Sequence, residues 1–405
     1  MNWGQRAQDR LSDIARCSVD GEGVTRFPFT SQHEAALDAI SSWMSQAGLQ
    51  VHMDAAGTLI GRKDGPEGAP TFLIGSHQDS VRNGGGYDGI MGVVLGCLAL
   101  EKLAADGNEL PFSVEILAFA DEEGVRFPTA LMGPRALAGT FDPAVLAMTD
   151  SDGVSLRNAL AGFGGDPDRV AALARDPAKT LGYLEIHIEQ GPVLEAQDTA
   201  LGIVTGICGI ERNTVTFTGD TGHAGTVPMD SRRDALVAAS DFISAIHDAA
   251  KKVTDLRATI GALSLHPNVV NAIPRAVELT LEIRALNDAV RDDFARLARY
   301  LGDNISGERR VGFSMERTYE QPAVPCNGDL IDALSTATGA ICPTAPRLPS
   351  GATHDASAMA DLCPISMLFV RCEDGVSHKP EEFAASDDMD AAIQSIAAFL
   401  VALEV

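Results

Sequence analysis

Thr71 to Leu103, TFLIGSHQDSVRNGGGYDGIMGVVLGCLALEKL, contains the change of period on which the fold rests. Pro70 to Gly75 reads as a strand, and the run ends on His77 with Asp79 two residues further on. The glycines Gly84 to Gly86 let the backbone turn tightly, Asp88-Gly89 follows, and from Ile90 to Leu103 the pattern is helical. Working outward, Ser113 to Ala120 reads as a buried strand that runs into Asp121-Glu-Glu-Gly124, and Leu181 to Ile188 as another with His187 near its end. Strands alternating with helices in this way predict an α/β sheet covered on both faces.

Towards the N-terminus, residues 5–49 read as helical, with Leu11, Ile14 and Ala15 and then Ala36, Ile40 and Trp43 at helix spacing. Between about residues 211 and 320 the order changes to strand (Thr214 to Thr218), helix (Asp234 to Ala249), strand (Thr259 to Leu265), strand (Ala276 to Ala285), helix (Ala289 to Leu301) and strand (Val311 to Thr318). That is the ferredoxin-like β-α-β-β-α-β unit. In its fourth element Val277, Leu279, Leu281 and Ile283 alternate with Glu278, Thr280, Glu282 and Arg284, as in a strand with one wet face. After Pro325 the α/β pattern resumes with a helix near Leu330 to Thr338, an apolar strand Ile365 to Val370 and a terminal helix from Met389. The expected organisation is one domain of residues 1–210 and 324–405 with residues 211–323 inserted.

A chain of 405 residues exceeds what one core usually organises, which agrees with two domains. The formal net charge of -25 argues against a nucleic-acid or anionic-membrane partner. Seven cysteines without a CxxC pair read as reduced thiols of a cytosolic chain. No window approaches a membrane span and the N-terminus lacks a signal-like apolar core, so the expectation is a soluble cytoplasmic protein.

Gly75-Ser-His-Gln-Asp79, Gly86-Tyr-Asp-Gly89, Asp121-Glu-Glu-Gly124 and Glu185-Ile-His-Ile-Glu189 each end in groups able to bind a metal, and three follow strands. Sites in open α/β sheets collect at the carboxyl ends of strands. Singly, His77 is as readily a satisfied histidine and Glu122-Glu123 a solvated acidic pair. Together they place carboxylates and imidazoles beside buried runs, which is costly without a cation. Nitrogen and oxygen donors without cysteine suit zinc or manganese. Asp79 faces the same side as His77 and either orients its imidazole or caps a turn.

GSHQDSVRNGGGYDGIMGV, FADEEGVRFP, LEIHIEQGPVLE, TGHAGTVPMDSRRDAL, NAIPRAVELTLEIR, LPSGATHDA and SHKPEE, in this order over nearly the whole chain, resemble the amidase/hydantoinase-carbamoylase branch of the M20 metallopeptidase family. The resemblance implies a large di-metal α/β/α catalytic domain with an inserted ferredoxin-like lid and dimerisation domain, and two divalent ions, zinc or manganese, per chain. One ion would be held by His77 and His187, the other by Glu123 and His378, with Asp88 bridging. Glu122 would be the general base. His223 would reach in from the partner subunit to stabilise the anionic intermediate, its plain alternative being a cap near Gly222 and Gly225.

Gln190, His223, Asn271, Arg284, Gly351 and His354 would bind substrate. A guanidinium at Arg284 matches a carboxylate, although a surface salt bridge with Glu282 or Glu278 is the ordinary alternative. Pro134 in MGPRALAG and Glu282 in LEIR depart from the branch pattern. The implied function is hydrolysis of a C–N bond in a small ureido or N-carbamoyl acid by a homodimer. Allantoate stands ahead of N-carbamoyl-L-amino acids, because DEEGVRF followed by LMGPRALAG is similar to the allantoate enzymes. A dipeptidase or aminoacylase on the same metals, and a silent binding protein on the same fold, are the alternatives.

Overall fold

The computed structural model describes residues 2–404. The chain divides into two compact units, one running to Thr205 and including Cys326–Leu348 and the chain from Ala352 onward, the other Gly206–Pro325 with Pro349–Gly351. The strands in chain order are β1 Gln50–Met53, β2 Leu59–Lys63, β3 Thr71–His77, β4 Ser113–Phe119, β5 Thr180–Ile188, β6 Leu201–Ile207, β7 Gly209–Thr218, β8 Leu256–Thr259, β9 Leu263–His266, β10 Ala276–Ala285, β11 Gly312–Gln321, β12 Val324–Pro325, β13 Arg347–Ser350 and β14 Ile365–Val370.

The sheet of the first unit runs β1-β2-β4-β3-β5-β14-β6. Its four central strands are parallel, with His77 opposite Phe119 in the β3/β4 ladder and His187 opposite Phe369 in the β5/β14 ladder. β4 and β14 are buried at every residue, as strands covered on both faces must be. Helix Ile90–Ala105 packs on β3 and β5 and is covered in turn by helices Trp3–Ile14 and Ser386–Ala402. It approaches the sheet closely because it turns glycines inward: a Cβ on Gly92 would lie 2.2 Å from the Ile186 carbonyl oxygen. Parallel order brings the carboxyl ends of β3, β4, β5 and β14 to one edge, which positions the site.

The single helical stretch expected over residues 5–49 is two helices, Trp3–Ile14 and Ser31–Gln46. Gly21, Gly23 and Pro28 break the pattern between them, and the Thr30 hydroxyl caps the second helix by accepting the His33 N–H.

In the second unit a sheet ordered β11-β7-β10-β8, with β9 also on β10, is antiparallel at every pairing. Helices Ala235–Ala250 and Asp288–Arg309 cover one face, closing a core that includes Phe217, Phe242, Val277, Leu279, Leu281, Ile283 and Phe294. β10 alternates as its sequence pattern predicts, leaving Arg284 off the core side. The strand expected at Thr259 to Leu265 is interrupted into β8 and β9. Thr280 on β10 accepts the Ala262 N–H on its hydroxyl and donates its own N–H to the Ala262 carbonyl, which breaks the ladder beside Gly261. Helix Asp288–Arg309 also runs beyond the Leu301 expected, ending on Arg310 in the left-handed region. Among the described residues no helix is long and apolar enough to cross a membrane.

Candidate metal centre

β3 delivers His77 to the sheet edge, and the loop after it returns through Asp88 to the helix that starts at Ile90. Gly89 makes the return possible. Its φ is +66°, and a Cβ there would lie 2.3 Å from the His77 ring. Gly89→Ala is therefore expected to displace the imidazole and lower metal uptake while the rest of the sheet folds, measurable as bound metal per chain.

Two backbone carbonyls fix the tautomers of the buried histidines. Nδ1 of His77 is 3.0 Å from the Asp79 carbonyl oxygen and Nδ1 of His187 is 2.9 Å from that of Ile188. A carbonyl only accepts, so Nδ1 carries the hydrogen and Nε2 of a neutral ring presents a lone pair. Both Nε2 atoms face Asp88 Oδ1, at 3.7 Å from His77 and 3.0 Å from His187. The other carboxylate oxygen, Oδ2, lies 3.2 Å from His378 Nε2 and accepts hydrogen bonds from Gln190 Nε2 at 3.0 Å and the Ser377 hydroxyl at 3.2 Å. Glu123 Oε1 is 3.9 Å from His378 Nε2, and Glu122 Oε2 is 3.9 Å from His77 Nε2.

Lone pairs converging on carboxylate oxygens are tolerated only with a proton or a cation between them. The buried oxygens Asp88 Oδ1 and Glu123 Oε1 have no hydrogen-bond donor. Ligand atoms of His77, Asp88 and His187 lie within 4.8 Å of one another, as do those of Asp88, Glu123 and His378. The two triplets share Asp88, so these residues fit a pair of divalent ions, and their donors are those that zinc or manganese accepts.

With protons alone the site is electrostatically divided. Burial pushes His77 down to about 4. Burial opposes charge on His187 too, but its contact with Asp88 outweighs it and carries that imidazole up to about 9. The Asp88 contact likewise raises His378 to about 9. Asp88 is held well below its usual range by His187 and His378 despite its burial. Burial, followed by the charge of Glu123, raises Glu122 well above an ordinary glutamate. Burial and the charge of Asp88 bring Glu123 to about 8.

The first unit thus brings His77, Asp88, Glu122, Glu123, His187, Gln190 and His378 together. The Asp79 carboxylate accepts the backbone N–H groups of Glu122 and Glu123 at 3.2 Å each, fixing that pair, while His77 is oriented by the Asp79 backbone. His354 is buried with its ring 4.6 Å from that of His187, and burial keeps it uncharged. Within the second unit, His223 accepts the Gly225 N–H on Nδ1 at 3.1 Å and its segment bridges to Ala272, beside Asn271. Arg284 donates from Nε to Glu282 at 2.7 Å and from Nη1 to the Gly351 carbonyl at 2.6 Å. Two residues given no role on sequence, Ser377 and Glu382, share the SHKPEE motif with His378, one beside it and the other four residues on. Their only sequence signal was membership of that motif.

The model of peptidase family M20/M25/M40 matches residues 48–402. The N-carbamoyl-L-amino acid amidohydrolase of Geobacillus stearothermophilus is 40% identical over 96% of this chain and 95% of its own. The allantoate deiminase of Arabidopsis thaliana is 36% identical over 96% of this chain and 81% of its own. A hydantoinase/carbamoylase family amidase from Burkholderia multivorans superposes with a TM-score of 0.90 at 30% identity, covering 98% of this chain and 97% of that one.

Proposed function

Because this chain belongs to the M20/M25/M40 peptidase family, in its hydantoinase/carbamoylase branch, we propose that it hydrolyses the carbamoyl C–N bond of a ureido acid. The observation that carries the reading is the pair of ligand triplets joined at Asp88 with Glu122 alongside. The chain is a hydrolase of non-peptide carbon–nitrogen bonds. As substrate we propose an N-carbamoyl-L-amino acid, supported by the relative at 40%, ahead of allantoate, which the DEEGVRF and LMGPRALAG segments favour.

What divalent ions supply when bound here is Lewis acidity, polarising the scissile carbonyl and making water acidic. His77, His187 and Asp88 would hold one, and Glu123, His378 and Asp88 the other. Glu122 takes the proton from water as its oxygen bonds to the carbamoyl carbon, then gives that proton to the departing nitrogen. One C–O bond forms and one C–N bond breaks, so the step yields ammonia and a carbamate, which loses CO₂ to free the second amine. His223 opposite the developing oxyanion, Gln190, Asn271, Gly351 and His354 on the substrate, and pairing of two chains through the second unit belong to the same proposal.

Arg284 is the proposed partner of the substrate carboxylate. Arg284→Ala is expected to raise KM by about 10–100-fold, the worth of a charged hydrogen-bonded pair. Arg284→Lys restores little, since a point charge lacks the planar fork.

The raised values of His187, His378 and Glu123 have a sign. These groups hold protons near neutrality when no ion is bound, so metal uptake must expel them. Affinity for added Mn²⁺ is expected to rise from pH 6 to 8, with proton release in a weakly buffered titration; an affinity flat across that range contradicts the assignment.

The reading is tested with metal-loaded protein by ammonia release from N-carbamoyl-L-amino acids, allantoate, ureidoglycolate and N-carbamoyl-β-alanine, and by release of free amino acid from a dipeptide. Turnover of the dipeptide alone returns the site to peptidase chemistry.

A further inference from the structure

Glu382 is a buried carboxylate that the reaction above does not use. Its Oε1 accepts the backbone N–H groups of Tyr87 at 3.0 Å and Asp88 at 2.9 Å, and its Oε2 accepts the His378 N–H at 3.3 Å. Asp88 is common to both ligand triplets and His378 belongs to one. One side chain, 294 residues from Asp88 in sequence, therefore ties together the backbones of two ligands.

The surroundings are shaped to that carboxylate. His378 has φ +60°, a conformation that non-glycine residues seldom adopt, and the bond from its N–H to Glu382 helps hold it there. Gly85 lies against the same side chain, and a Cβ there would lie 2.3 Å from Cβ, Cδ and Oε1 of Glu382. Beyond the carboxylate is a pocket of about 330 Å³ lined by Leu11, Tyr87, Pro380 and Glu382 among others, so water can reach the freed N–H groups if the side chain is shortened.

We propose that Glu382 is a positioning residue for the ion held by Asp88, Glu123 and His378, acting through the backbones of Asp88 and His378 rather than on substrate. The proposal rests on the two-ion reading above. A carboxylate that merely stabilised the fold would, when removed, weaken both ions and lower the melting temperature together. A positioning carboxylate weakens the ion of Asp88, Glu123 and His378 more than the other, because His378 belongs to that triplet alone, and leaves the melting temperature of the metal-free protein near wild type.

The experiment is a Co²⁺ titration of chelator-stripped wild type, Glu382→Ala, Glu382→Gln and Gly85→Ala, read by visible absorbance and bound metal, with melting followed by circular dichroism. Wild type is expected to take two ions. In Glu382→Ala the ion of Asp88, Glu123 and His378 binds about 10–100-fold more weakly, the usual cost of removing an outer support of a ligand, and the other ion, which shares only Asp88, loses less. Glu382→Gln shows a smaller loss, since its amide oxygen still accepts from Tyr87 and Asp88 but offers His378 no second acceptor. Gly85→Ala, whose Cβ would lie 2.3 Å from Cβ, Cδ and Oε1 of Glu382, displaces the whole side chain and reproduces the Glu382→Ala defect. Should Glu382→Ala fail to fold, the other two variants carry the test. Two ions bound with wild-type affinities in all variants, or both affinities falling in parallel with melting temperature, overturn the proposal alone. A wild type that binds fewer than two ions removes the two-ion reading, and the proposal with it.

Discussion

Glu122→Gln is expected to lower kcat by about 10²–10⁴, the span that a positioned acid–base group contributes, while KM and bound metal stay near wild type. The amide fills the same volume but cannot take a proton. Glu122 lies 3.9 Å from His77 Nε2, with its N–H held by Asp79, so its reach to a water beside the metal ligands is fixed by the fold. Burial and the charge of Glu123 raise its proton affinity, as a group that must accept and then return a proton requires. Bound metal is the control, because an inactive variant that has lost its ions says nothing of the base. A Glu122→Gln protein with full metal and undiminished kcat would remove Glu122 from the chemistry.

Asp88→Asn is expected to have the second large effect, and on different quantities. His187 meets one oxygen of Asp88 and His378 the other, so loss of the charge and of one ligand oxygen strikes both triplets. Both ions should weaken by more than about 10²-fold, beyond the 10–100-fold typical of outer supports, and turnover should disappear with them. The variant also forfeits the stabilisation that ligand binding gives, about 2.7 kcal/mol at a metal concentration 100 times Kd, visible as a melting temperature that no longer rises with added metal. Glu123→Gln, which touches one triplet, should lose one ion only. Equal losses in the two variants would contradict the shared role of Asp88.

The parallel core was legible because its strands are buried on both faces and read as unbroken apolar runs, as Ile365 to Val370 does. β10 was legible residue by residue from its period of two. What the sequence concealed were features set by partners elsewhere in the chain: the break between β8 and β9 depends on the Thr280 hydroxyl. The gathering of His77, Glu123 and His187 was readable, since each follows a buried run that makes an unpaired charge expensive. The roles of Glu382, Ser377 and the Asp79 carboxylate were not, because each is exercised on a backbone or carboxylate brought close only by the fold. The bond from Arg284 to the Gly351 carbonyl belongs to the same class, whereas its pairing with Glu282 is one of the two salt bridges its strand neighbours offer.

We propose a two-ion centre, joined at Asp88 and served by Glu122, that opens ureido acids. The most direct test is ammonia release from an N-carbamoyl-L-amino acid, measured while chelator-stripped protein is refilled with Mn²⁺ and bound metal is counted. Turnover that climbs to a plateau at two ions per chain, and never appears in Glu122→Gln, is the predicted result. Two bound ions with no ureido acid consumed, or full turnover at one ion per chain, would contradict it.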